Sequence, residues 1–149
     1  MAMLQSNTIR IQAGREKSKP IQIRRSVPQG GPTSPTLFNL GIDFIYKDTC
    51  ESDFANAHGF KLSDNHDALC LTGFADDQVA TSSTIEGARR IVERTQELFR
   101  EIGLDVNPRK SIAIRIEKGK LVPGELELSD GVCIKCIDEN TVIKYLGCS

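Results

Sequence analysis

Leu69-Cys70-Leu71-Thr72-Gly73-Phe74-Ala75-Asp76-Asp77-Gln78-Val79-Ala80-Thr81 sets two adjacent aspartates between two apolar, β-prone runs. That pattern predicts a β-hairpin with Asp76 and Asp77 at its tip. Neighbouring carboxylates repel, so in an ordinary fold they stay solvated or one takes up a proton. A divalent cation removes the conflict, because Mg²⁺ favours carboxylate oxygens together with substrate phosphates. Spacing alone leaves a solvated loop tip and a metal-binding turn both open.

Downstream, Ser83-Thr84-Ile85-Glu86 matches a capping box, with Ser83 as the cap. Ile85, Ala88, Ile91, Val92, Thr95, Leu98, Phe99 and Ile102 follow at helical spacing, and Gly103 stops the helix. Core packing on one face of a sheet is the expected role of that stripe. Beyond it, Ile112, Ile114 and Ile116 alternate as the inward residues of a strand, and Lys118–Gly124 reads as a loop. Leu126–Leu128 and Val132–Ile137 flank Ser129-Asp130-Gly131, a tight hairpin turn. Val142–Gly147 reads as a short closing strand.

Upstream, Phe60–Leu62 and Ala68–Phe74 read as strands. The run Val27-Pro28-Gln29-Gly30-Gly31-Pro32-Thr33-Ser34-Pro35 is too rich in proline and glycine for helix or central strand. It predicts an irregular loop ending in a helix start, with Ser34 as cap and Pro35 in the first helical position. Leu37, Leu40, Gly41, Phe44 and Ile45 then follow helical spacing, with Phe38 and Ile42 on the other side. Such a helix should be buried over much of its circumference. Before the loop, Thr8–Gln12 and Pro20–Arg25 alternate, predicting a two-stranded ribbon with Ile9, Ile11, Ile21 and Ile23 on one face.

The chain has 149 residues, 39% of them hydrophobic and 26% charged, which suits one soluble globular domain. The net charge of -1 hides an asymmetry: residues 1–35 carry six Lys/Arg against the single acid Glu16. A basic arm on a neutral chain suits a polyanion, or is simply a solvated hairpin. Five irregularly spaced cysteines do not form a disulfide framework. Cys133-Ile-Lys-Cys136 is either half a zinc site or a pair of free thiols, and free thiols fit better. No apolar run is long enough to span a membrane, so a soluble chain in a reducing compartment is expected.

Several segments together resemble a known family. Pro28-Gln29-Gly30 with Pro32, Ser34-Pro35 and Leu37-Phe38-Asn39-Leu40 resembles the template- and nucleotide-contacting segment of reverse transcriptases. Phe74-Ala75-Asp76-Asp77 is similar to their metal-binding tetrapeptide. Gly103-Leu104, Asn107 and Lys110-Ser111 resemble the next motif, and Tyr145-Leu146-Gly147 the primer-gripping one. The order matches, and the likeness is to polymerases of non-long-terminal-repeat retrotransposons. Gly31, Thr33 and Gln78 depart from the family pattern; an apolar residue is usual at the last of these.

The resemblance implies an α+β fold: a polymerase palm-like antiparallel sheet, with helices near 35–47 and 84–102 packed on one face. Residues 1–149 would form a partial reverse transcriptase domain. The family carries a further catalytic aspartate upstream of the Pro-Gln-Gly loop, and the 27 residues before Pro28 contain none. Truncation is therefore expected, with fingers, first palm strand and thumb absent, and with activity of the chain alone lost. A missing strand would be supplied by another segment or would leave an edge prone to aggregation.

The implied chemistry is nucleotidyl transfer from a dNTP to a primer 3′-hydroxyl on an RNA template, using two Mg²⁺ or Mn²⁺ ions. Asp76 would be the main metal ligand, with Asp77 assisting. Lys110 would donate a proton to pyrophosphate or clamp it, or else is a surface lysine. Pro28, Gln29, Gly30 and Phe74 would face nucleotide and template, and Tyr145, Leu146 and Gly147 the DNA primer. The basic ribbon would meet template phosphates. The alternative is a non-catalytic nucleic-acid-binding remnant.

Overall fold

A computed structural model of the protein describes residues 8–22, 30–141 and 143. The chain divides into two compact units, Met1–Phe38 and Asn39–Ser149.

The first unit contains the ribbon. β1 (Thr8–Ile9) pairs with β4 (Ile21–Gln22), and β2 (Gln12–Ala13) with β3 (Glu16–Lys17), both antiparallel. Gly14 turns the tip with φ 61°, a left-handed angle that suits glycine. Ile9 faces Ile21 across the inner ladder, while Ser18 donates its N–H to the Ile11 carbonyl at 2.9 Å in the outer one. The two registers differ by one residue, and the extra residue falls at Lys19-Pro20. Proline has no N–H to give a ladder, so a bulge there sacrifices little. Ile23–Arg25 of the predicted strand lie outside the described residues.

α1 (Ser34–Thr49) opens one residue earlier than the sequence suggested. Leu37 donates to the Thr33 carbonyl at 3.0 Å, so Thr33 rather than Ser34 takes the capping place. Pro35 still falls in the first turn, where no backbone donor is required. The buried line of this helix also differs from expectation: Ile42, Ile45 and Thr49 are buried, whereas Leu37 and Leu40 are exposed, the latter by 68%. Thr49 joins the apolar line because its hydroxyl donates to the Ile45 carbonyl at 2.8 Å.

α2 (Ser52–His58) was not expected from sequence; it is short and buries Ala55. The strands predicted after it shrink to a single bridge, Phe60 with Leu69, and to β5 (Leu71–Phe74), which pairs with β6 (Asp77–Ala80). α3 (Ile85–Glu101) is capped by Thr84, whose hydroxyl accepts from Gly87 N–H at 2.9 Å. Ser83 was the expected cap. Glu86 does not complete a capping box either; it pairs with Arg89 and Arg90. The predicted stop holds: Gly103 has φ 76°, its N–H reaches Arg100 O at 2.9 Å, and Leu104 N–H reaches Phe99 O at 2.9 Å.

The segment after α3 corrects two further expectations. Ile112, Ile114 and Ile116 point outward, at 50%, 57% and 64% exposure. Ala113 between them turns inward, because its N–H bonds Lys135 O and its carbonyl accepts from Ile137 N–H, both at 3.0 Å. The predicted loop 118–124 begins as a hairpin, β7 (Ile116–Glu117) against β8 (Lys120–Leu121). Lys118 and Gly119 both have positive φ (49° and 76°), the turn that best follows strand twist. β9 (Glu125–Glu127) and β10 (Cys133–Lys135) form the expected hairpin, with Gly131 at φ 81°.

The fold class is α+β. Among the described residues the strands pair in separate twos, not in the single continuous sheet expected. α3 is the common element of the second unit, touching α2, β6 and β9. It buries Ile91, Thr95, Gln96, Leu98 and Phe99, much as its stripe predicted. Leu126, Leu128 and Ile134 form one cluster of this core, with Ala88, Val92, Ala113 and Val132 packed against it.

Candidate acidic hairpin site

The aspartates fall in the expected hairpin, but its tip is Ala75-Asp76 rather than the expected Asp76-Asp77. Leu71 faces Ala80, Thr72 faces Val79, Gly73 faces Gln78 and Phe74 faces Asp77, leaving only Ala75 and Asp76 for the turn. Asp76 therefore stands at the apex, and Asp77 opens the returning strand. Both are exposed, and neither is ion-paired among the described residues. Ala75 adopts φ 54°, a left-handed conformation that costs a non-glycine residue about 1 kcal/mol.

Two residues not singled out as functional from sequence hold this turn. Gln78 donates its amide N–H to the Ala75 carbonyl at 3.1 Å. Its amide oxygen accepts from the Tyr46 hydroxyl of α1 at 2.5 Å. Gly73 makes room: a Cβ there would meet the Tyr46 hydroxyl, and would lie 2.6 Å from Gln78 Oε1 and 2.9 Å from Asp77 O. The one sequence signal was Gln78 itself, a polar residue where the family usually has an apolar one.

The base of the hairpin is anchored in the core. Cys70 and Leu71 are buried, and Thr81 N–H closes onto Cys70 O at 2.8 Å. Burial pushes the Cys70 thiol up to about 11, helped by the neighbouring Cys50, which makes it an unreactive packing residue at neutral pH. Cys50, Cys70, Cys133 and Cys136 are free thiols. Cys133 is exposed and Cys136 buried, so the Cys-Ile-Lys-Cys pair does not converge on one point.

Of the other sequence-predicted residues, Phe74 lies 68% exposed directly across from Asp77. Lys110 is exposed on a separate turn, where its N–H and the Ser111 hydroxyl both donate to the Asn107 carbonyl, at 3.1 and 3.0 Å. No hydrogen bond links that turn to the hairpin among the described residues. Gly30, in the first unit, has φ 86°, which explains a glycine there. Pro28, Gln29, Tyr145, Leu146 and Gly147 lie outside the described residues. The structure thus brings together Phe74, Asp76 and Asp77.

The donors at the tip are all oxygens: two carboxylates, open to solvent. That set fits Mg²⁺ or Mn²⁺, which complete their shells with water and substrate phosphates. No cluster of three or more potential metal ligands forms among the described residues. No described helix is long and apolar enough to cross a membrane.

An α+β chain that lifts two adjacent carboxylates on a tight hairpin is suited to holding a divalent cation. Its sequence matches the reverse transcriptase (RNA-dependent DNA polymerase) family over residues 2–149, and the chain belongs to that family. The resemblance drawn from the motifs, to the non-long-terminal-repeat retrotransposon type, is borne out. The chain is 30% identical over 110 residues to the retrovirus-related Pol polyprotein from type-1 retrotransposable element R2 of Nasonia vitripennis, covering 74% of this chain and 10% of that protein. It is 27% identical over 146 residues to the corresponding polyprotein of Popillia japonica, covering 95% of this chain and 20% of the relative. A type-2 element, R2DM of Drosophila melanogaster, matches at 30% over 93 residues, or 62% of this chain and 8% of the relative. The chain thus spans from a tenth to a fifth of the length of the first two relatives.

Proposed function

We propose that this chain is a palm portion of a retrotransposon reverse transcriptase, and that Asp76 and Asp77 are its metal-binding carboxylates. The observation that carries the proposal is the two-residue turn Ala75-Asp76, which leaves Asp76 at the apex and Asp77 at the start of the returning strand, both exposed. In the parent polymerase the primer 3′-oxygen bonds to the α-phosphorus of a dNTP, and the bond to the β-phosphate oxygen breaks as pyrophosphate leaves. Divalent ions at the site would acidify the attacking hydroxyl and neutralise the triphosphate.

The remaining roles belong to the same proposal. Asp76 at the apex is the principal ligand, and Asp77 tunes or completes its shell. Lys110 delivers a proton to the leaving pyrophosphate. Pro28, Gln29, Gly30 and Phe74 contact nucleotide and RNA template, while Tyr145, Leu146 and Gly147 contact the DNA primer. The Arg15, Lys17 and Lys19 side chains of the ribbon meet template phosphates, giving binding that weakens with salt. On this reading the chain alone binds metal but does not polymerise.

Mn²⁺ titration followed by electron paramagnetic resonance tests this directly. Binding that disappears in Asp76→Asn supports the proposal, as does primer extension only by a longer chain carrying the same hairpin. Equal binding by the wild type and Asp76→Asn overturns it. Salt-sensitive RNA binding without metal binding would instead favour the non-catalytic remnant.

A further inference from the structure

We infer that Tyr46 and Gln78 form a positioning clamp for the aspartate turn, an inference that rests on the metal-binding role proposed for Asp76 and Asp77. Neither residue is a ligand. Both act through the backbone that carries the ligands.

The hydrogen-bond chain has only one workable direction. The Ala75 carbonyl is purely an acceptor, so the Gln78 amide nitrogen must face it at 3.1 Å. That choice turns Gln78 Oε1 toward Tyr46, whose hydroxyl must then donate, at 2.5 Å. Tyr46 thereby fixes the orientation of an amide that would otherwise flip freely. Gln78 in turn fixes the carbonyl of the residue just before Asp76. Ala75 sits in a left-handed conformation (φ 54°) that an alanine seldom adopts unaided.

The clamp also explains local sequence. Gly73 lies where any Cβ would meet the Tyr46 hydroxyl and crowd Gln78 Oε1. The tyrosine reaches the turn only because the strand offers no side chain there. Tyr46 stands one residue past the buried Ile45 and two before Asp48, which Arg94 of α3 grips. The clamp thus references the turn to a helix fixed in the core of the second unit. A preorganised ligand pair loses less freedom when a cation binds.

Two measurements on the 149-residue chain test the inference: amide hydrogen exchange at Asp76–Gln78 by NMR, and Mn²⁺ affinity. Tyr46→Phe is expected to speed exchange at the turn about fivefold, as loss of one hydrogen bond implies, and Gln78→Leu, which removes two, by at least as much. Exchange at Ile91 and Leu98 of α3 should stay unchanged, and Mn²⁺ affinity should fall about threefold to tenfold. Because Tyr46 acts through Gln78, Tyr46→Phe should have no further effect in the Gln78→Leu background. Unchanged exchange at the turn in Tyr46→Phe overturns the clamp, and so do additive effects in the double variant. If Asp76→Asn leaves Mn²⁺ binding unaltered, the metal-binding proposal fails, while the exchange data still decide whether the clamp exists.

Discussion

Arg94 of α3 grips Asp48 of α1 through two parallel hydrogen bonds, Nε to Oδ1 and Nη2 to Oδ2, each 2.7 Å long. This fork ties together two helices whose partners are 46 residues apart in sequence. The Arg94 guanidinium bonded to Asp48 holds that carboxyl below its usual range, outweighing the opposing effect of burial. A carboxylate whose folded pKa is depressed stabilises the fold above its unfolded value, near 3.9, and loses that contribution as pH falls through the folded value. Urea midpoints of the wild type and Asp48→Asn should therefore differ at pH 7 and converge as pH drops below about 4. The pair is partly solvated, so the expected gap at pH 7 is about 1 kcal/mol. A constant gap from pH 7 to 2.5 would count against the ion pair as its source.

Gly87 in the first turn of α3 should resist replacement. Helix propensity alone favours alanine over glycine by about 1 kcal/mol. A Cβ at Gly87, however, would lie 2.5 Å from the His58 carbonyl oxygen and 2.9 Å from Thr84 Oγ1, and would also meet Ser82 Oγ. The first of these is backbone, pinned by the 2.5 Å bond it accepts from the Ser82 hydroxyl. The clash wins, and Gly87→Ala should lower stability by about 1–3 kcal/mol in chemical denaturation. A stabilised variant would show that α2 and α3 can separate at little cost.

The outward face of residues 112–116 makes an opposite prediction for Ile114. A core-facing isoleucine replaced by lysine would leave a buried charge and cost several kcal/mol. Ile114 is 57% exposed, so Ile114→Lys should change stability by less than about 0.5 kcal/mol. It should also lower light scattering of concentrated solutions, because Ile112, Ile114 and Ile116 form an exposed apolar row. Strong destabilisation would restore the inward orientation suggested by their alternation.

What was legible in the chain was local. The Asp76 hairpin, the Ser129-Asp130-Gly131 turn and the Gly103 stop all depend on residues within a few positions of each other. The α3 cap was legible only as a region, because Ser82, Ser83 and Thr84 all offer hydroxyls. The choice among them follows from packing: Ser82 donates to the His58 carbonyl and Ser83 to the Gly59 carbonyl, while Thr84 accepts from Gly87 N–H. α2 was missed because seven residues with one buried alanine give almost no periodic signal.

By itself, the sequence determined the family motifs, the acidic turn and the amphipathic third helix, since turn chemistry and apolar spacing are encoded residue by residue. Only the tertiary structure decided which face of 112–116 meets the core and how the aspartate turn is held. Alternation with a period of two defines two faces without saying which is buried. That choice came from Ala113 bonding Lys135 and Ile137, and the turn's support from a tyrosine 32 residues before its glutamine partner. Contacts at such separations arise only when elements pack, so no local pattern in the chain announces them.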